Sequence, residues 1–260
     1  MIAYHNAIVR SPSRNFAAGL TTSSLGPPIY QRAIEQYKAY CRALELCGLS
    51  VTRLEADERY PDSTFVEDTA VLVSLRESQL AILTRPGASS RLGEVESIRN
   101  ALTDFSPAAI EAPGSLDGGD VCQAGNQFFI GISERTNDSG AQQLAEILSE
   151  VGHPSILVDI RKLSGLLHLK SGMAYLNDHR LVVSKPLKEL NFFSDYELID
   201  VPLGEEYAAN CVCINDQVLV AAGHPQFTRL LKDHGYQTIE LEMSEFQKMD
   251  GGLSCLSLRF

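Results

Sequence analysis

Residues 117–132 read DGGDVCQAGNQFFIGI, and this stretch shows most clearly the unit from which the chain is built. Two apolar runs, residues 121–123 and 127–132, flank Gly125-Asn126, a pair typical of tight turns, so the pattern predicts a β-hairpin. Polar residues and glycines, Asp117 to Asp120, stand directly before the first run. We therefore expect a hairpin whose entrance carries polar groups.

The same pattern occurs at three further places in the chain. The hairpins are predicted at Val71 to Val73 with Leu80 to Leu83 around Arg76-Glu77-Ser78, at Met173 to Leu176 with Leu181 to Ser184 around Asn177-Asp178, and at Val212 to Ile214 with Val218 to Ala221 around Asn215-Asp216. Counting a terminal unit, the polar entrances fall near residues 67, 117, 168, 210 and 255. A period of this kind is typical of repeat architectures.

Helix-like stretches lie between the hairpins. They are clearest at Ile29 to Cys47 with Gly48 as the stop, at Arg91 to Leu102, and at Asp138 to Val151 with Gly152 as the stop. The last strand, Ser254 to Phe260, lacks a following partner, and Tyr4 to Val9 at the start of the chain can supply one.

Five hairpin-plus-helix units closed by the two termini describe a ring. The prediction is an α/β ring with pseudo-fivefold symmetry, formed by residues 1–260 as a single domain, with five polar strand entrances converging on one axial cavity. An ordinary α/β sheet that alternates hairpins and helices is the alternative.

Composition narrows the functional classes. The chain has 260 residues, 44% of them hydrophobic, a net charge of -11 and a pI near 5.0. This acidity argues against nucleic acid or an anionic membrane as partner and permits a cationic substrate. No basic leader and no apolar run of membrane-spanning length is apparent, so we expect a soluble cytoplasmic protein. The six cysteines show no C-x-x-C spacing, which favours reduced thiols and disfavours a metal site.

One cysteine stands out. Cys255 follows Gly251-Gly252 at the start of the terminal strand, and glycines let a ligand approach the backbone closely. A buried structural thiol is the alternative for any single cysteine. His168 and several carboxylates stand at other entrances, as a thiol nucleophile with a remote histidine partner would require.

Local strings extend this pattern over nearly the whole chain. They are Gly19-Leu20-Thr21, Pro61-Asp62-Ser63 with Phe65-Val66-Glu67-Asp68, Leu83-Thr84-Arg85-Pro86-Gly87, Ile110-Glu111-Ala112-Pro113-Gly114, Arg135-Thr136-Asn137, Leu167-His168-Leu169-Lys170-Ser171-Gly172, Tyr207-Ala208-Ala209-Asn210-Cys211 and Gly251 to Phe260. In content and order they resemble the guanidine-modifying enzymes, and within them the dimethylarginine dimethylaminohydrolase family. The resemblance implies the five-bladed α/β propeller, or pentein, fold.

The resemblance also implies roles for three catalytic residues. Cys255 would attack the guanidinium carbon of an Nω-methylated arginine, expel an alkylamine and leave a covalent thiouronium that water converts to citrulline. His168 would act as general acid and then base, and Asp117 would orient its ring. Without the resemblance, His168 fits a surface or core histidine and Asp117 a turn residue.

A second group of residues would bind the substrate. The resemblance places Asp62, Glu67 and Asp68 around the guanidinium, and Arg85 and Arg135 at the α-carboxylate, with Arg85 the stronger match. Leu20 would belong to a lid loop, and Met249 would also contact the substrate. Glu67-Asp68 alone could be a solvated turn. The implied reaction uses no cofactor and no metal, and a homodimer is left open.

Two other functions fit the same pattern. An arginine deiminase or another guanidine hydrolase of the fold would keep the cysteine, histidine and carboxylates, although this chain lacks the inserted helical domain typical of arginine deiminases. A ring that only binds amino acids would be expected to lack the catalytic set.

Overall fold

Five separate three-stranded sheets carry the strands of this protein. The structure is a computed structural model that describes residues 3–75 and 78–260. The strands are β1 (Asn6–Arg10), β2 (Ser50–Leu54), β3 (Ala70–Ser74), β4 (Gln79–Leu83), β5 (Ser106–Ala109), β6 (Val121–Ala124), β7 (Gln127–Ile132), β8 (Ser155–Asp159), β9 (Met173–Tyr175), β10 (Arg180–Val183), β11 (Glu197–Asp200), β12 (Val212–Ile214), β13 (Gln217–Ala221), β14 (Gln237–Leu241) and β15 (Leu258–Arg259).

All five sheets follow one plan. An inner strand pairs antiparallel with a middle strand, and an outer strand pairs parallel with the middle one. The sheet orders are β15-β1-β2, β3-β4-β5, β6-β7-β8, β9-β10-β11 and β12-β13-β14. The predicted hairpins are therefore confirmed, but the units are larger than hairpin plus helix, since the outer strands were not predicted.

The helices connect middle to outer strands. They are α1 (Tyr30–Leu46), α2 (Glu94–Arg99), α3 (Asp138–Glu150), α4 (Lys185–Lys188), α5 (Pro225–Asp233) and α6 (Ser244–Gln247), the last lying after β14. Gly48 and Gly152 follow α1 and α3 with φ of +90° and +83°, the conformation of helix-ending glycines. The predicted helix from Arg91 to Leu102 is too long, because Arg91 ends a separate 3₁₀ turn and α2 spans six residues.

The predicted turn residues adopt the conformation that tight hairpins need. Gly125, Asn177, Asp178 and Asn215 all have positive φ, between +48° and +66°. In the first hairpin, Arg76 and Glu77 of the predicted turn lie outside the described residues.

The two ends of the chain share a sheet. Ala7 pairs with Arg259 and Ile8 with Leu258, so β15 supplies the inner strand of the sheet that begins with β1. The expectation that Ser254 to Phe260 forms one strand is wrong. Ser254–Leu256 form a 3₁₀ helix, and only Leu258 and Arg259 after it form a strand. The reason is that the chain turns through the 3₁₀ helix before it pairs with β1.

The five entrances are built alike. A short 3₁₀ helix precedes each inner strand: Val66–Thr69, Gly118–Asp120, Leu169–Ser171, Glu206–Ala209 and Ser254–Leu256. An axial cavity of about 150 Å³ touches the inner strand of every sheet, through Leu72, Cys122, Met173, Val212 and Leu258. The inner strands thus surround one axis, as the predicted five-bladed ring requires. The single-domain organisation of residues 1–260 stays a prediction.

The apolar core is divided among the units. α3, for example, buries Ala141, Leu144 and Leu148, spaced to lie on one helix face, against strands of the two adjacent sheets. In the described part of the chain, none of the helices has the length and apolarity required to cross a bilayer.

Candidate active site

Cys255 lies in the 3₁₀ helix at the entrance to β15. The backbone N–H of Gly252 donates to its Sγ at 3.4 Å. A Cβ atom on Gly251 would lie 2.3 Å from the Phe65 ring, and one on Gly252 would lie 2.3 Å from Asn210 Oδ1. The glycine pair therefore lets the loop before Cys255 pack closely against its neighbours.

Two adjoining cavities meet at Cys255 and His168. The smaller has a volume of about 30 Å³, and the larger, about 700 Å³. The smaller is lined by Leu20, Asp62, Phe65, Asp68, Arg91, Arg135, Leu167, His168, Met249, Asp250, Gly251 and Cys255. The larger reaches Glu67, Lys170, Asn210 and Ser254, and is bounded by residues 22–25 and 164–167. Charged side chains thus concentrate on the smaller cavity and around the thiol.

His168 precedes β9, and Asp117 precedes β6 in the adjacent sheet. Nε2 of His168 donates to Asp117 Oδ2 at 3.1 Å, and both residues are buried. The other oxygen of Asp117 accepts the Gly87 N–H at 2.8 Å. Gly119 allows this approach, since a Cβ atom there would lie 2.7 Å from His168 Nδ1. The ring is therefore oriented by an acid that is itself held in place.

The His168 ring is surrounded by negative charge. Burial by itself would lower its pKa, but Asp68, Asp120 and Asp117 outweigh that effect and raise the pKa to about 9. At neutral pH the ring is consequently an imidazolium, the form that can donate a proton to a leaving group.

Asp68 is held by a buried arginine. Arg91 donates to Asp68 Oδ2 at 2.6 Å, and the Gly119 N–H donates to the other oxygen at 2.9 Å. The same guanidinium also donates hydrogen bonds to both carboxylate oxygens of Glu94. Burial would raise the pKa of Asp68, but the cations of His168 and Arg91 prevail and lower it to about 2. Asp68 is thus a permanent anion.

Glu67 lies between the larger cavity and the axial cavity. Its Oε1 is 2.7 Å from Lys170 Nζ and 3.3 Å from Arg259 Nη2, and its Oε2 accepts the Ser254 hydroxyl at 2.7 Å. Asn210 in turn accepts the Ser254 N–H at 2.9 Å. This network ties a predicted guanidinium ligand to the residue next to the nucleophile.

The thiol of Cys255 is protonated in this environment. Burial, reinforced by the anions Glu67 and Asp68, raises its pKa to about 12. A thiolate forms only when positive charge arrives beside the sulfur, which a guanidinium ligand would bring.

Asp68, Asp117 and His168 also form a group that could hold a metal ion, with ligand atoms within 4.8 Å of one another. Each carboxylate oxygen of the two acids already accepts a hydrogen bond, from Arg91, Gly119, His168 or Gly87. The group is therefore satisfied by protein donors.

The chain is similar in sequence to known proteins over nearly its whole length. It is 43% identical over 260 residues, 99% of this chain and 100% of the relative, to N(G),N(G)-dimethylarginine dimethylaminohydrolase of Pseudomonas aeruginosa. It is 33% identical to the enzyme of the same name from Streptomyces coelicolor, over 97% of this chain and 96% of the relative. The chain belongs to the dimethylarginine dimethylaminohydrolase family.

Solved structures agree with this family. The Pseudomonas aeruginosa enzyme, as a cysteine-to-serine mutant complexed with citrulline, superposes with a TM-score of 0.95 at 42% identity, covering 100% of both chains. The N-terminal domain of an arginine dihydrolase matches with a TM-score of 0.86 at 17% identity, covering 98% of this chain and 97% of that one, and shows the shared fold. The family model described as arginine deiminase matches residues 103–201. The predicted family and five-bladed fold are thus confirmed.

The structure brings most of the predicted site residues together around the two cavities. Arg85 is different. Its Nη1 donates to the Gly114 carbonyl at 3.2 Å, and it is not among the described residues that line either cavity. Arg135 lines the smaller cavity beside Asp62, with Leu20 and Met249. The position therefore favours Arg135, whereas the sequence analysis preferred Arg85.

Four contributors were not singled out from the sequence: Arg91, Lys170, Asn210 and Ser254. The resemblance in sequence implied that Glu67 and Asp68 surround the guanidinium of the substrate. Instead Asp68 and Glu67 are paired within the chain, with Arg91 and Lys170. A signal existed for three of them, since Lys170, Asn210 and Ser254 lie in the entrance strings, beside residues that were assigned roles.

Proposed function

We propose that this protein hydrolyses Nω-methylated L-arginine to L-citrulline and an alkylamine, with Cys255 as nucleophile. The observation that carries this is the meeting of Cys255 and His168 at cavities that also hold the carboxylates Asp68 and Glu67. A thiol, an acid/base group and anions around one point fit attack on a cationic carbon. The family membership points to the same reaction.

The first half of the reaction depends on charge. Substrate brings a guanidinium next to Cys255, and its positive charge lowers the thiol pKa so that the proton leaves to solvent. The thiolate then forms an S–C bond to the guanidinium carbon. The resulting tetrahedral adduct breaks one C–N bond as His168, already an imidazolium, gives its proton to the departing amine.

The second half reverses the role of His168. The neutral imidazole takes one proton from water as the water attacks the S-alkylthiouronium carbon, which restores the imidazolium. The C–S bond of this adduct then breaks, and the hydroxyl proton passes to the departing sulfur, so that citrulline and the Cys255 thiol are released together. Asp117 keeps the ring in one orientation through both steps because its second oxygen is anchored on Gly87. The reaction consumes one water molecule per turnover and involves no oxidation or reduction.

The amino-acid end of the substrate fits the smaller cavity. Asp62, which the resemblance placed at the guanidinium, lines this cavity with Arg135 and suits the ammonium group instead. Arg135 suits the carboxylate, because a guanidinium fork binds carboxylates in two-point fashion. Leu20 and Met249 contribute apolar contacts, and Leu20 belongs to a loop that borders the cavity. A cytoplasmic location fits this arrangement, since a thiol nucleophile needs a reducing compartment.

The test is product analysis on four compounds under identical conditions: asymmetric dimethylarginine, monomethylarginine, arginine and agmatine. We expect citrulline from the methylated compounds, less from arginine, and no turnover of agmatine, which lacks the carboxylate. Fastest turnover of arginine would instead identify an arginine deiminase. If none of them reacts and Cys255 stays unmodified, the ring only binds its ligand.

A further inference from the structure

The loop that borders both cavities, residues 20–25, is held in an unusual way. From Ala17 to Tyr30 every side chain is at least partly exposed, and Leu20 and Leu25 are 41% and 57% exposed. Little apolar area is therefore buried to keep this lid loop in place. Its position therefore depends on hydrogen bonds, and loss of those bonds should let the lid loop move away from the cavities.

One carboxylate provides most of these bonds at the centre of the lid loop. Asp250 Oδ2 accepts the Thr22 N–H at 2.5 Å and the Thr22 hydroxyl at 3.0 Å. Thr21 Oγ1 lies 3.3 Å from the same oxygen and donates to the Lys248 carbonyl at 2.8 Å. Hydrogen bonds to a charged acceptor are stronger than neutral ones, so Asp250 anchors residues 21 and 22, while the carboxylate of Asp62 accepts the Leu20 N–H at 3.1 Å where the loop begins.

Asp250 is also part of the loop that carries the nucleophile. It has φ of +56° and directly precedes Gly251. Its neighbour Gly251 is fixed on both sides, because its N–H donates to the Phe246 carbonyl at 2.9 Å and its carbonyl accepts the Tyr207 hydroxyl at 2.8 Å. Asp250 lines both cavities together with Cys255. One residue thus joins the lid loop to the backbone that presents the thiol.

We propose that Asp250 is a positioning residue that latches the lid loop onto the nucleophile loop. With the latch made, residues 21–22 stay over the site and restrict access to Cys255. With the latch broken, the lid loop opens and substrate is held less firmly, while the bond-breaking groups themselves are unchanged. The effect on catalysis rests on the proposed function, but the latch itself does not.

Asp250→Gly removes the carboxylate without straining a left-handed backbone position. We expect amide hydrogen exchange in residues 20–25 to accelerate about tenfold or more, iodoacetamide to alkylate Cys255 several-fold faster at fixed pH, and KM for monomethylarginine to rise about tenfold with kcat within about threefold. Asp250→Asn, which keeps an acceptor oxygen, should recover part of each effect.

Two further variants make the test specific. Asp178→Gly is the matched control, since Asp178 is an exposed aspartate with φ of +48° in the hairpin turn after β9, and it should change none of the three readings. Thr22→Val should loosen the lid loop alone, and adding it to Asp250→Gly should have little further effect.

The proposal is overturned if Asp250→Gly leaves exchange in residues 20–25 and alkylation of Cys255 unchanged. Acceleration of exchange in the strands to the same degree as in the lid loop would also overturn it, because the carboxylate would then stabilise the whole fold. If the wild-type protein makes no citrulline, the proposed function fails, yet exchange and alkylation still decide whether the latch exists.

Discussion

Asp117 and His168 stand 51 residues apart in the sequence and meet at 3.1 Å, between the entrances of adjacent sheets. Neither residue can be placed beside the other by any local turn or helix. Each residue directly precedes the 3₁₀ helix at its unit's entrance, Gly118–Asp120 for Asp117 and Leu169–Ser171 for His168, and these two helices pack against each other. The repeat of the fold therefore brings Asp117 and His168 together.

Replacing Cys255 with serine should abolish citrulline formation. A hydroxyl is much less acidic than a thiol and cannot ionise in the same pocket, so it cannot attack so weak an electrophile. Cys41→Ser is the matched control, because Cys41 is buried in α1 and should leave activity largely intact. Mass spectrometry of the wild-type protein during turnover should find an adduct on Cys255. Equal loss in both variants would contradict the assignment.

Removing the imidazole of His168 should cost about 10²-fold to 10⁴-fold in kcat, the usual size of a general acid/base contribution. His168→Gly should do so with a modest change in KM. Asp117→Asn should lower kcat less, since the Gly87 amide can still hold the side chain. Circular dichroism must show folded variants; a His168→Gly protein that is folded and fully active would rule out this role.

The pH dependence of Cys255 follows from its raised pKa. The Cys255 thiol of the ligand-free protein has a pKa of about 12, so very little of it is thiolate at neutral pH. The rate at which Cys255 is alkylated in the ligand-free protein should therefore keep rising up to pH 10 without a plateau. A bound guanidinium analogue should increase the ultraviolet thiolate absorbance at fixed pH. Cys255→Ser provides the baseline for the other five thiols. A plateau below pH 8 in the free protein would contradict a neutral resting thiol.

The two arginines can be separated by substrate affinity. Arg135→Gln should raise KM for monomethylarginine by about tenfold or more, because it leaves the substrate carboxylate unpaired. Arg85→Gln, the matched control, should change KM little, since that side chain contacts the Gly114 carbonyl. The reverse pattern would restore the preference for Arg85 that the sequence suggested.

His168 should also make stability depend on pH. Its folded-state pKa of about 9 exceeds the ordinary value near 6.5, so its charge stabilises the fold fully below pH 6.5 and that contribution is lost as pH rises through 9. The free energy of unfolding lost in His168→Gln should therefore be a few kcal/mol at pH 6 and should fall toward zero above pH 9. Urea titrations at several pH values measure this, with exposed His5 mutated to glutamine as control. A difference that does not vary with pH would contradict a charged ring.

Much of the fold could be predicted from the sequence because the signals are local. The turn pairs Gly125-Asn126 and Asn215-Asp216, and the glycine at the end of α3, act through the conformation of a few adjacent residues. The outer strands were missed for a related reason. Strand β5, for example, contains Pro107 and has no fully buried residue, so it lacks the apolar alternation that identifies strands.

The family could be read from the sequence because the strings that resemble it follow one another in the family's order over nearly the whole chain, and the same strings predicted Cys255 as nucleophile and His168 as its partner. The pairing of the buried charges, in contrast, depends on contacts between distant parts of the chain. Arg91 rather than a substrate pairs with Asp68, and Lys170 reaches Glu67 from an entrance 103 residues away. Arg135, and not Arg85, faces the smaller cavity. The physical reason is that a buried charge is stabilised by whichever opposite charge the fold brings near it. Separation along the sequence does not give the distance between two side chains in the folded protein.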